Sequence, residues 1–138
     1  MKTKLFAAFL IASTLVAAPA IARDAVPVIN YDNIAVATSS GKAPAVEQFK
    51  QALLTAAGAR GWEIAQQADG TLQATLNVRG KHSIVVEIAY SDAKYSLTYK
   101  GSVNMKYGQR DGQPVIHPFY NKWVQDLKEA IGLELLKV

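Results

Sequence analysis

The sequence predicts an α+β fold of two layers: an antiparallel β-meander of about five strands, in the chain order β-α-β-β-β-β-α, with two helices covering one face. Three observations lead there. From Trp62 to Val103 the chain alternates apolar and polar residues, the period of half-buried strands. Turn signals at Asp69-Gly70, Arg79-Gly80-Lys81 and Ser91-Asp92-Ala93-Lys94 cut that run into four strands. Two flanking stretches, 44–59 and from Pro118 onward, carry apolar residues at helical spacing.

The register of the meander follows from requiring one buried face, because a one-residue slip turns a strand's whole apolar set over. A three-residue loop 68–70 sets Trp62 opposite Leu76 and Ile64 opposite Ala74, with Gly70 at the left-handed position of a bulged turn. A three-residue loop 79–81 then pairs Leu76 with Ile84, Ala74 with Val86 and Leu72 with Ile88. A four-residue loop 91–94 pairs Tyr90 with Tyr95, Ile88 with Leu97 and Val86 with Tyr99. Val103 continues the same apolar alternation. All three loops agree on one face. The opposite face carries Glu63, Thr71, Gln73, Thr75, Asn77, Ser83, Val85, Glu87, Ser96, Thr98, Lys100 and Ser102, a polar surface that an antiparallel sheet can leave in water.

Ahead of the meander, residues 1–22 read as a secretory signal: Lys2 and Lys4, an apolar run from Leu5 to Ala18, and the small-x-small site Ala20-Ile21-Ala22. That run is short for a membrane span, so no transmembrane segment is expected after cleavage. Without a following cysteine no N-terminal lipid anchor is expected either, and the location read from the sequence is the periplasm. Residues 23–138 then form a single domain, long enough to bury about two thirds of its unfolded surface. The chain has no cysteine, so packing alone holds it. Loss of Lys2 and Lys4 lowers the formal net charge from +4 to +2. The remaining basic residues are scattered rather than striped, which speaks against nucleic acid as a partner.

Val26-Pro27-Val28-Ile29 is an edge or simply extended, since proline cannot donate to a ladder. A strand at 33–38 points Ile34 and Val36 inward; a right-handed crossover would make it the parallel neighbour of the Trp62 strand, and otherwise it pairs elsewhere or lies apart. The first helix spans 44–59 with Pro44 at its first position and Val46, Phe49, Leu53, Ala56 or Ala57, and more weakly Leu54, on its apolar side. Residues 104–117 are the least regular part. The last meander strand extends to Tyr107, and Asp111-Gly112 is a turn. The second helix opens at Pro118 and buries Phe119 or Tyr120, Trp123, Val124, Leu127, Ile131 and Leu135. Gly132 costs it about 1 kcal/mol against alanine and weakens its last turn.

No pattern here rises to a reaction. His82 and His117 are the only histidines, and no acidic residue stands at ligand spacing from either, so no metal or cofactor is expected. His117, just before Pro118, suits a helix N-terminus, and His82 suits a half-buried hydrogen bond at the sheet's end. No serine sits in a Gly-x-Ser-x-Gly elbow, and no glycine-rich phosphate loop exists. Glu63 and Glu87 share the wet face but stand two strands apart without an aromatic platform. The one constellation of interest is Ser102, Asn104, His117, Tyr120 and Asn121, where the last strand ends and the last helix begins. Its first reading is a set of hydrogen bonds that knits the 104–117 loop to the domain; its second is a small polar pocket.

One resemblance emerges from these residues. Arg60-Gly61-Trp62, Gly70 before an alternating strand, Arg79-x-x-His82, Tyr95-Ser96-x-x-Tyr99, Ser102-x-Asn104 and Ile116-His117-x-x-Tyr120-Asn121-x-Trp123 together resemble a family of small exported or lipid-anchored proteins of Gram-negative bacteria. The likeness runs from Arg60 to Trp123, and the chain departs from the anchored members in lacking their cysteine. It implies an envelope location and an α+β fold, and it brings no catalytic residue. The leading expectation is a non-enzymatic periplasmic module that binds an envelope protein, glycan or lipid by its open sheet face or an exposed strand edge. The alternatives are a small-ligand carrier with a pocket between helices and sheet, and an envelope hydrolase using His117.

Overall fold

The structure, a computed structural model, describes residues 24–138, so the signal expected at 1–22 lies outside the described residues. Ten elements follow one another: β1 (Val26–Pro27), β2 (Tyr31–Ala35), α1 (Val46–Ala59), β3 (Trp62–Gln66), β4 (Leu72–Val78), β5 (His82–Ser91), β6 (Lys94–Val103), β7 (Gly108–Arg110), β8 (Gln113–Ile116) and α2 (Pro118–Leu135). Five strands make one antiparallel sheet in the order β2-β6-β5-β4-β3, and three make a small sheet in the order β1-β8-β7. The fold is α+β.

The meander has the register that the one-face argument requires. Trp62 faces Leu76 and Ile64 faces Ala74; Leu76 faces Ile84, Ala74 faces Val86 and Leu72 faces Ile88. Tyr90 faces Tyr95, Ile88 faces Leu97 and Val86 faces Tyr99. Gly70 takes φ +87 at the end of its loop. The last hairpin is tighter than a four-residue loop: Ser91 and Lys94 already pair, leaving Asp92 and Ala93 both at positive φ. Such a two-residue turn matches the twist of the strands it joins.

One element of the alternation fails, and the cause is local. The register of β5 with β6 shifts between Val85 and Val86, so that Val85 faces Gly101 while Val86 faces Tyr99, and Lys100 is the extra residue. A bulge of this kind reverses the facing of everything beyond it. Ser102, expected on the wet face, instead sits opposite the buried Ile84. Val103, expected inward, is 57% exposed. Asn104 and Lys106 then adopt positive φ and end the strand at Val103 rather than Tyr107.

The sequence left the place of the 33–38 strand open. It forms at Tyr31–Ala35 and pairs with β6, at the far edge from β3. The α1 connection therefore carries the chain across the sheet from one edge to the other. Ile34 and Val36 do pack against the core. Helix α1 starts at Val46, two residues later than expected. Pro44 precedes the cap, its carbonyl accepts the Tyr90 hydroxyl, and the Ala45 amide donates to the Gln48 side chain. Val46 consequently stands in solvent, and Phe49, Ala52, Leu53, Ala56 and Ala57 form the buried stripe. Phe49 stacks on Tyr90 at 4.3 Å between ring centroids, which fixes the helix to the sheet.

Helix α2 begins at Pro118 and buries Tyr120, Val124, Leu127, Ala130, Ile131 and Leu135; Phe119 faces outward and Trp123 is half-buried. The helix passes through Gly132 without a break. The stretch expected to be irregular contains a hairpin, β7–β8, turning at Asp111-Gly112 with both residues at positive φ. Val26 and Pro27 pair with Ile116 and Val115 as its third strand, and Pro27 lies on an edge, where its missing N–H is harmless. Met105 and Ile116 join the same core as the main sheet and both helices.

Candidate functional site

Of the five polar residues singled out from the sequence, Asn104 and His117 share one small cleft, and Ser102, Tyr120 and Asn121 do not line it. Asn121, the fourth residue of α2, uses both ends of its amide on the N-terminal segment: the Ile29 amide donates to Oδ1 at 3.0 Å, and Nδ2 donates to the Pro27 carbonyl at 3.0 Å. It holds residues 27–29 rather than the 104–117 loop. Asn104 turns the other way, its Nδ2 donating to the Lys81 carbonyl at 2.7 Å, and so ties the end of β6 to the β4–β5 turn. The Ser102 hydroxyl meets the Tyr99 phenol at 2.8 Å, a contact that exists because the Lys100 bulge turned Ser102 inward. Tyr120 is fully buried, edge-on to Tyr99 at 5.5 Å, and among the described residues its hydroxyl has no hydrogen-bond partner. Burial pushes the Tyr120 phenol well above its usual range, and the nearby Tyr99 and Tyr31 phenols add to that. Burial likewise pushes Tyr95 up, to about 12.

Both imidazoles open on one small cleft of about 100 Å³, beside Asn104, Met105, Phe119 and Trp123. Their backbone partners fix different tautomers. His82 Nδ1 faces the Asn104 carbonyl at 2.8 Å, so it carries the proton and Nε2 keeps the lone pair. His117 Nδ1 instead accepts from the Phe119 amide at 3.1 Å as the cap of α2, which spends its lone pair. A neutral His117 then carries its proton on Nε2, and the pair is poorly suited to grip one cation. Among the described residues no group of three or more His, Asp or Glu is placed to hold a metal ion. On the outer sheet face, Glu87 is engaged with Lys100 at 3.3 Å.

A larger concavity lies away from every sequence motif. Between the end of β2 and the last turns of α2 runs an open apolar groove of about 500 Å³, lined by Ala35, Ala37, Tyr95, Glu129, Gly132, Leu133, Leu135 and Leu136. Leu133 and Leu136 are 60% and 49% exposed, off the buried stripe of their helix. A Cβ placed on Gly132 would meet nothing within 4 Å, so this glycine keeps the groove floor clear. The other lip is the outer edge of β2, the last strand of its sheet, together with Val36 and Ala37 that follow it. The Val36 amide donates inward to the Ala93 carbonyl at 2.9 Å; the alternation of an antiparallel ladder then aims the amides of Ala35 and Ala37 at the open side. Of the devices that commonly blunt natural edges, β2 carries a charge at Asp32 and an irregularity between Tyr31 and Ile34, with Asn33 at positive φ; the stretch Ala35-Val36-Ala37 beyond them has neither charge nor proline. The only trace of this site in the sequence is a pair of leucines, 133 and 136, that the helical stripe does not use.

No helix among the described residues is long and apolar enough to cross a membrane. No family model, curated protein or solved structure matches this chain.

Proposed function

We propose that this chain is a non-enzymatic binding module of the bacterial envelope, exported by the leader at 1–22, which takes an extended segment of a partner protein along β2. The observation that carries the reading is the end of edge strand β2 at Ala35, continued by Val36 and Ala37, running beside the 500 Å³ apolar groove of α2. A strand added to that edge gains main-chain hydrogen bonds, while its alternate side chains enter the groove. A small molecule is served less well, because carrier pockets enclose most of their ligand and this groove is open along its length. The commitment of His117 Nδ1 to the α2 cap supports the non-enzymatic reading over a hydrolase that uses this ring.

The test is selection of a displayed library of random linear peptides on the purified domain, with Gly132→Leu as the blocked control. That substitution fills the groove and favours the helix by about 1 kcal/mol, so lost binding in a protein of undiminished stability points to the groove itself. Equal peptide recovery on both proteins would refute the proposal.

A further inference from the structure

The groove has one charged wall, and its charge is unbalanced. Glu129 lines it, is exposed, and among the described residues has no cationic partner; its side chain meets only Gln125, at 3.4 Å. The neighbouring carboxylate, Glu134, is already neutralised by Lys137 at 2.9 Å. The groove runs on to the C-terminus of α2, where Lys137, two residues past Leu135, is engaged with Glu134. Glu129 therefore places an uncompensated negative charge at the rim of an apolar surface.

From this complementarity we infer that Glu129 sets the groove's specificity, and that the occupant is an apolar extended peptide segment with one Lys or Arg placed to reach the α2 rim. The inference rests on the groove reading and adds the chemistry of its partner. The backbone edge of β2 supplies pairing to any sequence, and the apolar floor accepts any aliphatic side chain. Glu129 is the one charged group lining the groove, so it discriminates among segments that the rest accepts alike.

The experiment is the same peptide selection run on the native domain, Glu129→Gln and Glu129→Lys, with peptides from the native selection then measured on all three by titration at low and high salt. The inference expects apolar segments bearing Lys or Arg from the native domain, and segments bearing Asp or Glu from Glu129→Lys. It expects affinity for a basic peptide to fall about fivefold in Glu129→Gln, the range of one exposed ion pair, with the salt dependence lost. Apolar peptides without a preferred charge, or the same charge preference in all three proteins, would overturn the role of Glu129 and leave the groove standing. No peptide recovered on the native domain beyond the Gly132→Leu background would overturn the groove and this inference together. Self-association that Gly132→Leu abolishes would make a second copy of the chain the occupant and overturn the inference.

Discussion

Replacing Asn121 by alanine separates the hydrogen bonds of α2 from the packing of its apolar stripe. The Asn121 side chain closes two bonds of 3.0 Å onto the backbone of residues 27–29, and no apolar contact is at stake. Each such bond contributes about 1 kcal/mol net, so the variant should lose about 2 kcal/mol. For a domain of this size that is a drop of about 8 °C in Tm. Urea denaturation should show a lower midpoint at unchanged slope, because the surface exposed on unfolding does not change. Amide exchange locates the effect, with the Ile29 amide losing protection while the amides of β4 and β5 keep theirs. Asn121→Asp is the sharper control. It retains an acceptor for the Ile29 amide but presents a second oxygen to the Pro27 carbonyl, so Ile29 stays protected while stability still falls. A loss under about 0.5 kcal/mol in Asn121→Ala, with Ile29 exchange unchanged, would show that this amide does not hold the N-terminal segment.

Tyr120→Phe should be neutral or stabilising by up to about 1 kcal/mol, since it removes a buried hydroxyl without a partner; chemical denaturation checks it, and a loss above 1 kcal/mol would reveal a bond to that oxygen. Val103→Thr should stay within about 0.5 kcal/mol of the native protein because the Lys100 bulge leaves this side chain in solvent; a core-sized loss would mean the strand alternates without interruption. Stability should also decline in alkali. Burial raises the Tyr95 phenol from 10.0 to about 12, so the folded chain holds this proton more tightly than the unfolded one. The resulting stabilisation is complete below pH 10 and is lost as pH climbs through 12, at most about 2 to 3 kcal/mol, and Tyr95→Phe should flatten that part of the pH profile. A folded-state phenolate titration of Tyr95 near pH 10 would contradict it.

The meander was legible because a strand's period is short and its turns are local. Trp62 with Leu76, Ile84 with Leu76 and Tyr95 with Tyr90 follow from nearest-neighbour hairpins, in which loop length alone sets the register. Both helices were legible for the same reason, apart from the shift from Pro44 to Val46 at the first cap. The β7–β8 hairpin was visible only as its Asp111-Gly112 turn, because strands of three and four residues are too short to display a period. The candidate residues were found as individually polar groups, and His117 as the cap of α2, but the targets of the two asparagines, Pro27, Ile29 and Lys81, were not. Two of these partnerships, Asn104 with Lys81 and Asn121 with residues 27–29, join segments distant in sequence, which no periodicity encodes.

By itself, then, the sequence determined which faces are apolar and which strands are neighbours by hairpin, since both depend on residues a few positions apart. The tertiary structure alone decided where β2 lies, that Lys100 bulges and turns Ser102 inward, and that Ala35 and Ala37 come to face Leu133 and Leu136 across a groove. The physical reason is range. Sheet order, bulge position and the docking of α2 are settled by how all the apolar surfaces fit at once, and a site assembled from residues about 100 positions apart has no local signature to read.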